Sequence, residues 1–380
     1  MPTLFTLGVA SVRGFGLFGG GGAAFTGGGL WSMGVNTYGA LGLGNTVSKS
    51  SPNQVGSLTT WATASGGSGS SFAIKTDGTL WSWGRNLQGD LGHGVYIPYA
   101  TMYSSPKQVG ALTGWSKVTG LGATLAIKTN GTLWSWGSNS YGCLGNGNTV
   151  SRSSPGQVGA LTNWSMVSNY QNVTAAIKTD GTLWTWGFNT YGGLGLGNYT
   201  HYSSPKQVGA LTTWSKVSSG NRRGGAIKTD GTLWMWGFNN NGQLGLGDIL
   251  NRNSPVQVGT GTTWSQISIN QKSSAAIKTD GTLWTWGYNT TGQLGLGDTV
   301  QRSSPVQVGT GTTWSKLRQA GNITAAIKTD GTLWMWGTNT SGQLGLGDTV
   351  NRSSPVQVGV LTTWGELGPS PSGFTLVIKS

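Results

Sequence analysis

Histidine, cysteine and glutamate supply much of the acid–base, nucleophilic and metal chemistry open to a protein. This chain of 380 residues holds only His93, His201, Cys143 and Glu366 of those types. A Ser-His-Asp or Cys-His centre needs a base within hydrogen-bond reach of its nucleophile, and a metal site needs clustered ligands. The two histidines stand in different sequence repeats and read as loop residues at the surface, while Cys143 replaces Gln or Gly in a recurring GQLG motif and reads as packing. No calcium loop or phosphate loop is present. These residues predict a non-enzymatic protein with no cofactor and no metal.

The other chemistry-bearing groups recur too regularly to form one centre. Asp77, Asp180, Asp230, Asp280 and Asp330 each precede a glycine, and Asn130 takes that place in one copy, which a turn tolerates and an acid-dependent site would not. Asp248, Asp298 and Asp348 follow LGLG and read as loop caps; the lysines from Lys75 to Lys379 read as solvated strand edges. The net charge of +13 reflects 23 basic against 10 acidic residues, dispersed along the chain. Such dispersion attracts anions weakly and predicts no specific nucleic-acid binding. A single cysteine excludes an intrachain disulfide and leaves the redox compartment open. The apolar stretch from Leu4 to Val12 is too short to span a bilayer and lacks a basic residue before it, so no membrane insertion is expected.

The elements that position these groups emerge from internal periodicity. A tetrad ending in Trp-Gly or Met-Gly recurs at Gly34, Gly84, Gly137, Gly187, Gly237, Gly287 and Gly337, with spacings of 50 residues and one of 53. Ala-Ile-Lys or Val-Ile-Lys recurs equally often, from Ile74 to Ile378. Each unit parses into four short strands, as in WSKV, GAIKT, TLWMW and SPVQV of the copy that starts at Thr212. The Asp-Gly between the second and third strands predicts a two-residue type I′ hairpin. Four short strands cannot cover both faces of their own sheet, so neighbouring units must cover one another, and radial stacking achieves this. All 20 tryptophans fit the pattern, one in each first strand and two in each third, less one where Met33 stands in. They read as core and inter-unit packing.

The fold predicted is all-β: a seven-bladed β-propeller of four-stranded antiparallel blades. The chain opens with GGGLWSMG, a third strand, and ends in FTLVIKS, a second strand. Pairing of these N- and C-terminal strands would close the ring, although Ala23-Ala24-Phe25 also resembles a second strand and competes for the place. Residues 1–22 form a Gly-rich N-terminal arm, a possible anchor, and 23–380 a single propeller domain.

The NxxGQLGLGD loops, as at Asn239 to Asp248, resemble the regulator of chromosome condensation repeat over roughly residues 24 to 380. The resemblance implies a seven-bladed ring closed by a mixed blade. It implies no single function, since the family includes a nuclear exchange factor for a small GTPase, a plant ultraviolet photoreceptor, a secreted β-lactamase inhibitor and uncharacterised bacterial and phage proteins. The family's GxxH histidine is missing from every copy, no insertion of the size of the exchange factor's β-wedge occurs, and the photoreceptor's Gly-Trp-Arg-His-Thr motif is absent. Neither activity carries over.

Compared with one another, the copies hold their second and third strands nearly constant and vary in the loop between the first and second. That loop shares a rim with the third-to-fourth loop, and the Asp-Gly turns occupy the other rim. The variable rim gathers Tyr170, Gln171 and Asn172 from one copy, Asn221, Arg222 and Arg223 from the next, then Asn270, Gln271 and Lys272, and finally Arg318, Gln319 and Asn322. Arg152, Arg252, Arg302 and Arg352 are placed on its outer edge. A second candidate is the three-residue excess in the second blade, where Tyr96, Ile97, Tyr99, Met102 and Tyr103 cluster. Loops that nothing constrains also drift, and an insert also folds back on its own blade, so both bland readings stay open.

The reading reached is a structural or binding propeller, virion-associated or surface-displayed in the style of bacterial and phage repeats. Its partner would be a protein or cell-surface glycan met by the variable rim, with residues 1–22 holding other virion proteins. A soluble enzyme inhibitor or scaffold, cytoplasmic or secreted, is the alternative, and a GTPase exchange or chromatin factor the third.

Overall fold

The computed structural model describes residues 27–95, 102–370 and 373–379. Seven four-stranded antiparallel sheets form a ring of seven blades. Blade 2 comprises Trp61–Gly66, Ser70–Lys75, Leu80–Arg85 and Met102–Gln108, and the pattern repeats up to blade 7, with Trp314–Ala320, Ile323–Lys328, Leu333–Gly337 and Arg352–Gln357. Blade 1 is composite: Trp364–Pro369 and Phe374–Lys379 supply its first two strands, Gly29–Gly34 and Lys49–Gln54 its last two. The seam pairs Gly29 with Lys379 and Gly34 with Phe374. The C-terminal strand thus fills the place for which Ala23–Phe25 competed, and those three residues lie outside the described part, as does the 1–22 arm.

No blade owns a core. Each apolar cluster straddles two blades, as where Ile177, Leu183 and Val208 of blade 4 meet Trp214, Val217 and Trp236 of blade 5. The first strands touch their neighbours around the ring and are therefore innermost. Polar latches cross the same interfaces. Trp83, Trp136, Trp186, Trp236, Trp286 and Trp336 are buried, and each donates its indole N–H to a carbonyl of the preceding blade, at 2.8–3.1 Å. Met33 has no such donor, and at that interface Thr375 alone reaches the Gln343 carbonyl, at 3.2 Å.

The glycine of each Trp-Gly marker has a backbone reason. Gly237 has φ +100°, sits at a register shift between the third and fourth strands, and a Cβ there would lie 2.5 Å from the Arg222 carbonyl oxygen. The marker therefore brings the two loops of the rim into contact.

Two expectations change. The Asp-Gly turns are not type I′: in Lys228–Gly231 only Gly231 has positive φ, and its N–H donates to the Lys228 carbonyl at 3.0 Å, the pattern of a type I turn closed by a glycine bulge. Asp230 selects it, because its Oδ1 accepts from both the Thr232 N–H (2.9 Å) and hydroxyl (2.7 Å), and the Thr232 Oγ1 accepts from Trp234 Nε1 at 2.9 Å. The lysines are not simply solvated: Lys228 Nζ lies 3.9 Å from the ring centroid of Trp234 and 5.3 Å from that of Trp214, and the arrangement recurs around the ring.

Candidate functional site

Both faces of the ring follow from this meander. The turn rim repeats the Thr-Asp-Gly-Thr unit. The loop rim carries the first-to-second and third-to-fourth loops, pinned together by one repeated backbone bond: the residue after each Trp-Gly donates its N–H to the variable loop. Phe188 bonds Asn172 O at 2.8 Å, Phe238 bonds Arg222 O at 3.1 Å, Tyr288 bonds Lys272 O at 3.1 Å and Thr338 bonds Asn322 O at 3.0 Å. Below, an asparagine ties the longer loop: Asn289 Oδ1 accepts from Leu294 N–H, and its Nδ2 donates to Asp298 and to the Val300 carbonyl. Variable side chains are thus mounted on a fixed backbone.

The structure divides the predicted rim residues. Gln171 is exposed, and Asn172, Asn221, Arg222, Gln271, Lys272 and Asn322 are partly exposed at the rim. Gln171 (φ 50°) and Arg222 (φ 63°) are the non-glycine residues with positive φ among those described, both in tight variable loops. Arg222 holds its guanidinium 4.7 Å from the Tyr191 ring centroid, and Lys272 Nζ lies 4.6 Å from that of Tyr288.

The others turn inward. Arg223 is fully buried and clamps blade 5 to blade 6, donating to the carbonyls of Asn270 (3.1 Å), Gln271 (3.2 Å) and Ser273 (2.8 Å). Burial pushes its guanidinium down to about 9, opposed by the Tyr170 phenol. Asn270 is buried and its Oδ1 accepts from the N–H groups of Lys272 and Ser273. Tyr170 is buried, its phenol pushed up to about 12. Gln319 is buried, with Nε2 donating to Thr324 Oγ1 at 3.1 Å. Arg318 lines the central cavity of about 120 Å³ enclosed by the seven first strands, where burial lowers its pKa and Glu366 opposes the shift.

Arg252, Arg302 and Arg352 reach the outer edge and pair with Asp248, Asp298 and Asp348 at 2.5–2.6 Å, and Asp Oδ1 caps the backbone two residues on, as at Val300 N–H (2.9 Å). In the blade 2 insert Met102 is exposed, and the Tyr103 and His93 rings meet in a T-shaped contact at 5.1 Å, with Lys107 Nζ 4.5 Å from the Tyr103 ring centroid. Tyr96, Ile97 and Tyr99 lie outside the described residues.

Cys143 is buried, its thiol pushed up to about 12 by desolvation, and donates to the Ser138 carbonyl. His93 is not a free surface ring: it lies 3.1 Å from Ser82 Oγ, and burial beside Lys107 holds it down at about 4. His201 is exposed and stacks on Phe188 at 5.0 Å. Among the described residues no three His, Cys, Asp or Glu side chains are placed to hold a metal ion.

Sequence reading passed over the aromatic residues of the third-to-fourth loops: Tyr141, Phe188, Tyr191, Phe238 and Tyr288 all stand on the loop rim. A signal existed, because the position after Trp-Gly is Phe, Phe and Tyr in three successive copies.

Geometry of this kind defines a propeller that presents loops from a repeated scaffold, and comparison with known proteins gives its family. Residues 117–370 match the RCC1-like domain and residues 27–74 match the regulator of chromosome condensation (RCC1) repeat. The chain belongs to the RCC1-like propeller family. Human WBSCR16 superposes with a TM-score of 0.82 at 20% identity, over 93% of this chain and 98% of that one. Prp20p from Saccharomyces cerevisiae, described with its binding properties to Gsp1p and histones, gives 0.81 at 17% identity, over 93% and 92%. Yeast RCC1 (Prp20) bound to Kap60 gives 0.83 at 16% identity, over 100% and 97%. At these identities the likeness is one of fold.

Proposed function

We propose that this chain is a non-enzymatic binding propeller that meets its partner through the loop rim. The observation that carries the reading is the pinning of the variable loops: Asn172, Arg222, Lys272 and Asn322 bring three different side chains to one position, and each holds the same backbone bond to the neighbouring loop. A rigid mount with interchangeable side chains is how scaffolds present recognition groups. Relatives of the same architecture support a protein as partner, since yeast Prp20p has binding properties toward Gsp1p and histones and occurs bound to Kap60. A cell-surface glycan is the other partner class this reading admits.

The finer part of the proposal is display on a virion or cell surface, with residues 1–22 as the attachment arm. Near-identical tandem units and the Gly-rich composition of the arm support it.

The test is site-specific photo-crosslinking in the source cells, with the reactive residue placed at Gln171 or Asn322 on the loop rim, or at Asn130 on the turn rim. Adducts from the loop rim alone are expected; adducts only from Asn130 would overturn the reading. Sedimentation with particles, lost on deletion of residues 1–22, is expected for the display role.

A further inference from the structure

We propose that the loop rim of blades 3, 4 and 5 is a docking surface for an acidic, apolar-bearing segment of a partner protein; this rests on the reading of the loop rim as the binding face. Aromatic rings run continuously across this sector. Tyr141 of blade 3 meets Phe188 of blade 4 at 4.9 Å, and Tyr191 of blade 4 meets Phe238 of blade 5 at 5.1 Å. Arg222 joins them, 4.7 Å from Tyr191 and 5.9 Å from Phe188. Tyr141 is 38% exposed, and Phe188, Tyr191 and Phe238 are half-buried, so the arc reaches solvent.

The fold does not require these rings. Each couple joins the residue before the loop glycine in one blade to the residue after Trp-Gly in the next. Between blades 6 and 7 the same two positions are Thr291 and Thr338, and between blades 2 and 3 they are Gln88 and Ser138. The pinning bond at Thr338 has the geometry of those at Phe188 and Phe238. Aromatic and arginine side chains gathered where small polar ones suffice are the composition of interface anchors.

Charge selects the partner. Blades 5, 6 and 7 carry Asp248, Asp298 and Asp348, each ion-paired with its own arginine, whereas blades 3 and 4 have Asn148 and Asn198 in that place. Arg152, exposed in blade 3, has no carboxylate partner among the described residues. With Arg222 of blade 5, and Lys272 of blade 6 at its border, it makes the sector cationic; the carboxylates of blades 3, 4 and 5 are Asp180 and Asp230 in the opposite turns and the paired Asp248. Cations and rings together call for carboxylates flanked by apolar side chains. A sugar stacks on a free ring face, but His201 is stacked on Phe188 and Arg222 lies over Tyr191.

Fluorescence anisotropy tests this with a labelled peptide of alternating Glu or Asp with Phe or Leu, its Lys-substituted counterpart, a heparin fragment and single-stranded DNA. The acidic peptide is expected to bind, and Tyr191→Thr and Arg222→Ala each to weaken it about tenfold. The variant Tyr141→Thr/Phe188→Thr/Tyr191→Thr/Phe238→Thr, which copies blades 6 and 7, is expected to melt as the parent does and to lose binding. No binding of the acidic peptide, equal binding of its Lys counterpart, or arc-dependent binding of heparin or DNA alone would overturn the proposal. If rim crosslinks to a partner persist in the fourfold variant, the arc inference fails while the rim reading stands; if adducts form only at Asn130, the rim reading itself fails.

Discussion

Trp236 of blade 5 donates its indole N–H to the carbonyl oxygen of Gly193 in blade 4 at 3.0 Å, and no side-chain hydroxyl shares that acceptor. At the next interface Gln243 O accepts from both Trp286 (3.0 Å) and Ser274 (2.8 Å). Gly224 replaces the hydroxyl-bearing residue in blade 5.

Trp236→Phe is therefore expected to lose about 1–2 kcal/mol more than Trp286→Phe, since only the first strips a buried carbonyl of its side-chain donor. Urea denaturation of the two variants gives the comparison, with the loss of ring volume common to both. Equal losses would show that the latch contributes nothing beyond packing.

Arg222 and Arg223 are adjacent in sequence and opposite in role. Arg223→Ala removes the guanidinium that bonds three carbonyls across the blade interface and is expected to lose about 3 kcal/mol or more, whereas Arg222→Ala at the surface is expected to lose under about 1 kcal/mol. Thermal or denaturant unfolding that ranks them the other way would refute the buried clamp.

Asp90 is buried where blades 5, 6 and 7 have Gln, its Oδ1 accepting from the Gln88 N–H, and desolvation pushes its carboxyl up to about 6 from 3.8. An acid raised on folding binds more protons folded than unfolded between those values. Its stabilising effect is thus full below pH 3.8 and lost as pH rises through about 6. Asp90→Asn keeps the acceptor and is expected to gain about 1–3 kcal/mol at neutral pH, the advantage vanishing towards pH 4. Stability curves for parent and variant that run parallel would contradict this.

Lys117 faces the central cavity and donates to the Ser165 carbonyl, and burial with nearby Lys216 pushes it down to about 8 from 10.5. A base lowered on folding holds fewer protons folded than unfolded, so stability is expected to rise with pH from about 8 to 10.5. Lys117→Met should flatten that part of the rise, measured as the difference between the two pH profiles; an unchanged difference would rule it out.

Much of this was legible from the repeat. The Trp-Gly spacing sets the blade number, and the split of strands between the ends foretells the seam of Gly29–Gly34 with Phe374–Lys379. The turn type was not legible from Asp-Gly alone, because the carboxylate's bonds to the following threonine decide it. Arg223 illustrates the harder limit. A hairpin of two loop residues ends at Arg222, so the next side chain points inward, and only the match with Val173 and Ile323 of other copies marks it as core-facing. Loop composition says where variation lies, but strand phase says which side chains reach water.

The seam has a directional consequence. Gly29 and Lys379 are partners in register at the end of the ladder away from the variable loops, beside the start of the Trp61 strand. The first and last described strands thus meet on that side of the ring. With Gly29 and Lys379 on the turn side, the variable loops stand on the opposite face like the markings of a dial.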